Sequence, residues 1–454
     1  MSIHPDALRG RRVLVLGLGS FGGGSGVARA LARRGARVTV TDLRPIEQLD
    51  EARAELAGLP VEWEVGGHRE ESFAGADVVV VNPAVPAESP WLAVARRHGC
   101  ALTTDVNLAL AQAAAVPAFA VTGTHGKSTC AALAAHLLGA LPGRTVLAGN
   151  LGGSLLGSVV GLGPDDRLVV ELSSFQTETL EAPPGWPRVA ALTCLRSDHL
   201  DRHGTREAYA AAKRRLLEYQ DADGVALLPE GDPESARWSA AARGATRTLG
   251  PARLAELGLR AEDLPFREPY RLSSALAAIE AALLLGLPPA ELRARLASFR
   301  GLPHRMEELP VPAGFRVVDN GVATHPEPTE AALRHAEGTV VLIAGGKDKG
   351  LPLDGLADAA RGCTRVHLYG EGGRRLAAAL HDRAPRLHAS SREAFDAALE
   401  ALQPGETLLF SPSFASFDEY RNFKDRANVF RDRCRMILGR RAADSVAQRS
   451  AETR

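Results

Sequence analysis

The stretch "VTGTHGKSTC", Val121–Cys130, has the residue types of a phosphate-binding loop. A glycine-rich turn between a strand and a helix aims backbone N–H groups at an anion, and the helix N-terminus adds partial positive charge. Gly123, Thr124, His125 and Gly126 would form the turn. Lys127 would reach the β and γ phosphates of a nucleotide, Ser128 would offer its hydroxyl to magnesium, and Thr129 would open the helix. The common pattern G-x-x-x-x-G-K-[ST] asks for a glycine where Val121 stands. The plain alternative is a tight glycine turn followed by an incidental lysine.

Four further groups could do chemistry. Glu171 ends the apolar run "RLVVE", where a phosphate-loop protein keeps a carboxylate for magnesium. Asp198, His199 and Asp201 cluster in "SDHLDRHG", and Thr205 is a suitable N-cap for the helix that carries Lys213. Taken alone, His199 reads equally as a structural histidine, and Lys213 among alanines as a solvated side chain. Gly17, Gly19 and Gly22 satisfy G-x-G-x-x-G after a strand, with Asp42 following, which is a dinucleotide fingerprint on paper. Any nucleotide diphosphate could use such a loop, so the pattern is not specific for a nicotinamide cofactor. The fourth group is a set of polar clusters in the last third: "GLPHRMEE", "VVDNGVATHPEPT", "GGKDKG" and "SPSFASFDEYRNFKDR". Each follows or interrupts an apolar run. Loops at the carboxyl ends of parallel strands are where ligands bind, although a surface loop has the same composition.

The elements that must position these residues are short apolar strands alternating with helical stretches. "RRVLVLGLG", "GVARALARRG" and "ARVTVTDLR" form a βαβ unit, and the alternation resumes at "AFAVTG" and again beyond "FRVVDN". The expected fold is α/β in three domains: residues 1–106 Rossmann-like, 107–307 a central P-loop domain with a mostly parallel sheet, and 308–440 again Rossmann-like. The stretch Leu309–Phe315 reads as a linker, and residues 441–454 as a disordered tail. A length of 454 residues suits two or three cores. The 54 basic and 54 acidic side chains cancel, which gives no electrostatic case for nucleic acid or an acidic membrane surface. Five scattered cysteines without C-x-x-C spacing point away from disulfides and zinc and fit a reducing cytosol. Neither a signal peptide nor a membrane span is expected, so the reading is a cytoplasmic protein, by default a monomer.

Together the motifs resemble the Mur ligase family. "GTHGKST", "GNLG", "ELSSFQ", "DHLDRHG", "GLPHR", "GGKDKG" and "SFDEYRNFKDR" occur in that family's order, from about Arg12 to Arg431. The family's phosphate loop lacks the earlier glycine, which accounts for Val121. The resemblance implies an ATP-dependent amide ligase of cytoplasmic peptidoglycan precursor synthesis, adding glutamate to UDP-N-acetylmuramoyl-L-alanine through an acyl phosphate. It implies that Lys127 and Ser128 hold phosphates and magnesium, that Glu171 shares that ion and that His199 binds a second one. Lys213 would be a carbamylated lysine, its CO2 adduct serving as a metal-binding carboxylate. Ser20, Phe21, Asp42 and Arg44 would hold the UDP moiety and Asn150 the muramoyl group. Arg305 and Asn320 would reach ATP. Thr324, Lys349, Ser416 and Phe423 match the glutamate-binding positions.

The sequence departs from the family at three places. The stretch thought to touch the ATP base reads Tyr270, Arg271, Leu272, Ser273, Ser274. In "DNGVATH", Asn320 stands for a ribose-binding aspartate, beside Asp319, and Val322 for a lysine near the amino-acid site. The glycine-rich "SFGGGSG" is longer than usual. These changes keep L-glutamate open beside D-glutamate. A folylpolyglutamate-type ligase, a nicotinamide oxidoreductase and an inactive binding relative are the other readings. The first conflicts with "DHLDRHG", the second leaves "GTHGKST" unused, and the third is at odds with the retained Lys127, Glu171, His199 and Lys213.

Overall fold

The computed structural model of the chain describes residues 3–19, 22–196, 198–266, 271–336 and 338–452. Three sheets form, and their strands are the apolar runs of the sequence. The first has five parallel strands in the spatial order Val61–Val65, Arg37–Asp42, Arg12–Leu16, Val78–Val81, Ala101–Thr103. Alternate residues of the middle strand enter different cores, Val13 and Val15 on one face and Leu14 and Leu16 on the other. Burial on both faces is why the run is continuously apolar. The central sheet has six parallel strands in the order Ala245–Leu249, Val225–Pro229, Val189–Leu192, Ala118–Thr122, Arg167–Glu171, Thr145–Gly149. The last sheet also has six strands, five of them parallel, with the short Glu307–Glu308 strand antiparallel at one edge.

The chain packs as two units, Met1–Arg300 and Gly301–Arg454. The first two sheets share one unit because a single apolar core joins them. Val13, Val40 and Leu31 lie in the same cluster as Leu108, Leu155, Ala120 and Val170. The expected boundary at 307/308 falls inside the second unit. The stretch expected as a linker is also part of it: Leu309 is 7% exposed and its N–H donates to Val317 O at 2.9 Å. Of the segment expected as a disordered tail, the described residues 441–452 are helical. The last helix spans Phe423–Glu452. Arg441 anchors it by donating to Leu399 O and Leu402 O and by lying 4.8 Å from the Phe315 ring. Among the described residues no helix is long and apolar enough to cross a membrane.

Candidate active site

The phosphate loop leaves the central sheet at Thr122, in the strand between Val189–Leu192 and Arg167–Glu171. The helix that follows spans Lys127–Leu138, with Gly126 as its N-cap at φ 81° and no side chain capping its first turn. Uncapped N–H groups at a helix start are an anion site. Glycine is required at both ends of the turn. Gly123 has φ 146°, and a Cβ there would lie 2.0 Å from Thr193 Oγ1. A Cβ on Gly126 would lie 2.1 Å from Ser274 Oγ. Thr124 is tied down on both sides: its N–H donates to Cys194 O at 2.8 Å, and its hydroxyl accepts Arg196 N–H at 2.9 Å. Ser128 and Thr129 are 5% and 6% exposed. Lys127 Nζ donates to two carbonyls of the turn itself, Gly123 O at 2.9 Å and Thr124 O at 2.8 Å. His125 contributes its carbonyl, which accepts from Thr193 Oγ1.

Lys213 joins this loop from the helix Arg206–Arg214, whose N-cap is Thr205, as expected. It is 1% exposed, and its Nζ donates to the same Gly123 O, at 2.9 Å, that Lys127 uses. Its Nζ also lies 3.5 Å from Thr122 Oγ1 and 4.6 Å from the centre of the Tyr209 ring. Burial above all, and then the positive charge of Lys127, push the amine well below the usual lysine value, against the pull of Asp198, Cys194 and Glu171. The neutral form of the buried Lys213 amine is thus favoured relative to a free lysine, beside the phosphate loop. Tyr209 was not singled out from sequence, yet its ring floors the amine and its hydroxyl meets Thr124 Oγ1 at 3.2 Å. The i, i+4 spacing of Tyr209 and Lys213 on one helix is the signal that could have found it.

Glu171 ends its strand at 1% exposure. Its Oε1 accepts from Asn150 Nδ2 at 3.2 Å, and its Oε2 is buried without a partner. A buried, unpaired carboxylate oxygen is costly in an apolar surround and suits a cation. Asn150 is thus placed beside Glu171, and its N–H donates to Glu171 O at 2.8 Å. His199 has φ 51° and caps the short helix Leu200–His203. Its Nε2 lies 3.4 Å from Asp198 Oδ2, and its ring packs at 5.0 Å on Phe175. Among the described residues, no three His, Cys, Asp or Glu side chains converge as a metal-binding group.

In the first sheet Asp42 is committed to the protein. It is 6% exposed. Oδ2 accepts Leu18 N–H at 2.8 Å, and both oxygens accept from the Arg44 side chain at 3.0 Å. Burial opposes ionisation, but the hydrogen bonds from Arg44 and Leu18 prevail and hold the carboxyl below its usual range. Arg44 also donates to Gly19 O at 2.8 Å. The pair thus shapes the glycine turn, and neither Asp42 oxygen is left for a ribose hydroxyl, which weakens the nicotinamide reading. Ser20 and Phe21 lie outside the described residues. Asp42→Ala strands a buried N–H and a guanidinium. It is expected to lower stability by about 2–4 kcal/mol, read as a reduced urea midpoint with unchanged slope.

In the second unit, Thr324 and Lys349 line one cleft with Pro326, Asp348, Leu351, Ser413 and Phe414. His325 links them, with Nδ1 3.3 Å from Thr324 Oγ1 and Nε2 3.4 Å from Lys349 Nζ. Ser416 is 2% exposed and lies outside that lining, as does Phe423, the first residue of the last helix. Arg305 sits between two left-handed residues, His304 at φ 63° and Met306 at φ 51°. Non-glycine residues hold that conformation only when neighbours enforce it. Here Asp319 does so: fully buried, it accepts from His304 Nδ1 at 2.8 Å, Arg431 Nε at 2.7 Å and Gly321 N–H at 2.9 Å. Asn320 is 5% exposed and donates to Ser411 Oγ at 2.9 Å. Of the altered Tyr270–Ser274 stretch, Tyr270 lies outside the described residues. Arg271 stacks at 3.9 Å over Phe266, and Ser273 donates to Thr193 O at 3.2 Å.

Three family models match in succession: Mur ligase MurD-like, N-terminal domain, over residues 11–104; Mur ligase middle domain over 121–263; and Mur ligase, glutamate ligase domain, over 304–414. The chain is 38% identical to a UDP-N-acetylmuramoylalanine–D-glutamate ligase of Geobacter metallireducens, covering 93% of this chain and 97% of that one. A protein of the same name from Roseiflexus is 37% identical, with 93% and 98% covered. Among solved structures, a UDP-N-acetylmuramate-alanine ligase of Thermotoga maritima matches with TM-score 0.61 at 19% identity, covering 93% of this chain and 99% of that one. A MurF ligase of Thermotoga maritima in complex with ADP matches with TM-score 0.55 at 14% identity, with 97% and 100% covered. These two share the fold. With every family domain present in order and full-length relatives at this level of identity, the chain belongs to the Mur ligase family.

Proposed function

We propose that the chain joins D-glutamate to UDP-N-acetylmuramoyl-L-alanine at the expense of ATP, in the cytoplasmic stage of peptidoglycan precursor synthesis. The observation that carries this reading is the buried Lys213 amine, which shares Gly123 O with Lys127 inside the phosphate loop. A carboxylate is a poor electrophile. Transfer of the γ-phosphoryl group to it creates an acyl phosphate, which the glutamate amine attacks to give an amide and release phosphate. Two anions must meet, so the site must supply positive charge. The turn Gly123–Gly126 with Lys127 would hold the ATP phosphates, helped by Arg305 and Asn320. Lys213, whose amine is held well below the usual lysine value by burial, can in its neutral form add CO2 to give a carbamate with loss of a proton. Magnesium, when bound, would neutralise phosphate charge; Ser128, Glu171, His199 and the Lys213 carbamate are its proposed ligands, and the unpaired Glu171 Oε2 fits that part. Arg44, the glycine turn and Asn150 would hold the UDP substrate. Thr324 and Lys349 would receive the incoming amino acid, with Ser416 and Phe423 nearby in sequence to the same loops, and the chain would act as a monomer.

The test is phosphate release with ATP, magnesium and UDP-N-acetylmuramoyl-L-alanine, with D- and L-glutamate in parallel. Release with D-glutamate alone is expected. Release with L-glutamate instead would overturn the amino-acid assignment, and release with neither would overturn the ligase reading.

A further inference from the structure

The carboxylate of Asp105 does not serve its own helix. The helix Asp105–Gln112 is capped by Thr104, whose hydroxyl accepts Asn107 N–H at 3.1 Å. Asp105 instead reaches the turn around residue 154. It accepts from Ser154 Oγ at 2.6 Å, Leu155 N–H at 2.6 Å and Leu156 N–H at 3.1 Å. Burial pushes its pKa up to about 6 against these three hydrogen bonds, which leaves it ionised, and an acceptor only, at neutral pH.

The turn it holds touches two parts of the site. On one side is the glycine segment of the first sheet. A Cβ on Gly26 would lie 2.6 Å from Ser154 Cβ, one on Gly23 3.6 Å from Gly153 O, and one on Gly22 3.8 Å from Gly153 Cα. Such close approach leaves no slack between this turn and the helix Gly23–Arg33. On the other side the same turn begins at Asn150, which is bonded through side chain and backbone to Glu171. The segment Asn150–Ser154 is therefore a strut between the glycine turn of the first sheet and the carboxylate of the central sheet.

We propose that Asp105 is a positioning residue for the UDP-linked substrate: by fixing Ser154 it sets the spacing between the glycine turn that holds the diphosphate and the Asn150–Glu171 pair beside which the acceptor carboxylate reacts. The proposal rests on the function proposed above. A substrate that spans both anchor points feels their separation, whereas ATP and glutamate do not. Loss of the strut thus acts on one substrate of three.

The experiment is steady-state kinetics of the full chain, each substrate varied in turn, for wild type, Asp105→Asn and Ser154→Ala. Asparagine keeps the size but turns one acceptor into a donor that faces N–H groups. Asp105→Asn is expected to raise KM for UDP-N-acetylmuramoyl-L-alanine about tenfold, with kcat and the KM values for ATP and D-glutamate within about twofold. Ser154→Ala, which removes one hydroxyl, is expected to raise the same KM about threefold. Unchanged KM values in both variants, or equal rises for all three substrates, would overturn the proposal. If Asp105→Asn does not fold, Ser154→Ala decides alone. A wild-type chain without turnover would instead refute the ligase reading, so the two failures are distinguishable.

Discussion

Lys213→Ala is expected to reduce turnover by at least about a thousandfold, and a short carboxylate such as acetate or propionate should restore part of it. The lysine has no solvent-facing role: it is 1% exposed and bonds to Gly123 O. Carbamate formation requires the neutral amine. An ordinary lysine is neutral to only about one part in a thousand near pH 7.4. Burial and the neighbouring Lys127 lower the Lys213 value well below that of a free lysine, so a far larger share is available to CO2. Lower pH favours the ammonium and disfavours the adduct. Activity should therefore fall as pH drops and as CO2 is stripped from the buffer, and bicarbonate should restore it. A purely structural lysine would respond to neither bicarbonate nor acetate. Wild-type turnover in the alanine variant would remove the carbamate role.

Lys127→Ala is expected to lower ATP turnover by about 10²–10⁴-fold while the affinity for the UDP substrate, measured by calorimetry, stays within about twofold. Lys127 bonds to two carbonyls of the turn it spans, and Asp42, Arg44 and Asn150 lie on other segments. Loss of UDP-substrate binding in this variant would mean that the assignment of the two loops to two ligands is wrong.

How much of this was legible in the sequence depends on the distance over which each residue is held. The phosphate loop was, because its strand, turn and helix are contiguous and glycine spacing reports backbone demand directly. "AFAVTG" and the following helix formed where expected, at Ala118–Thr122 and Lys127–Leu138. Glu171 was legible as a strand end. The environment of Lys213 was not: composition around it says alanine-rich helix, whereas its amine is buried and bonds to Gly123 O, 90 residues away. Asp42 fits the dinucleotide pattern by spacing, but its acceptors go to Leu18 N–H and Arg44, which no spacing rule reports. Asp105 caps a turn 49 residues on. The polar composition near residue 441 suggested disorder, yet a helix persists there because Arg441 finds carbonyls at Leu399 and Leu402. In each case the local pattern gave the element, and tertiary partners decided what the side chain does.

The most direct measurement is isotope transfer. UDP-N-acetylmuramoyl-L-alanine labelled with oxygen-18 in its carboxylate is incubated with ATP, magnesium, D-glutamate and the chain, and the released phosphate is analysed by mass or phosphorus NMR. Phosphoryl transfer to the carboxylate followed by amide formation sends one carboxylate oxygen into phosphate, so one labelled oxygen per released phosphate is predicted. Phosphate released without label, from a reaction that still forms the amide, would contradict the acyl-phosphate ligase read from Lys127, Glu171 and Lys213.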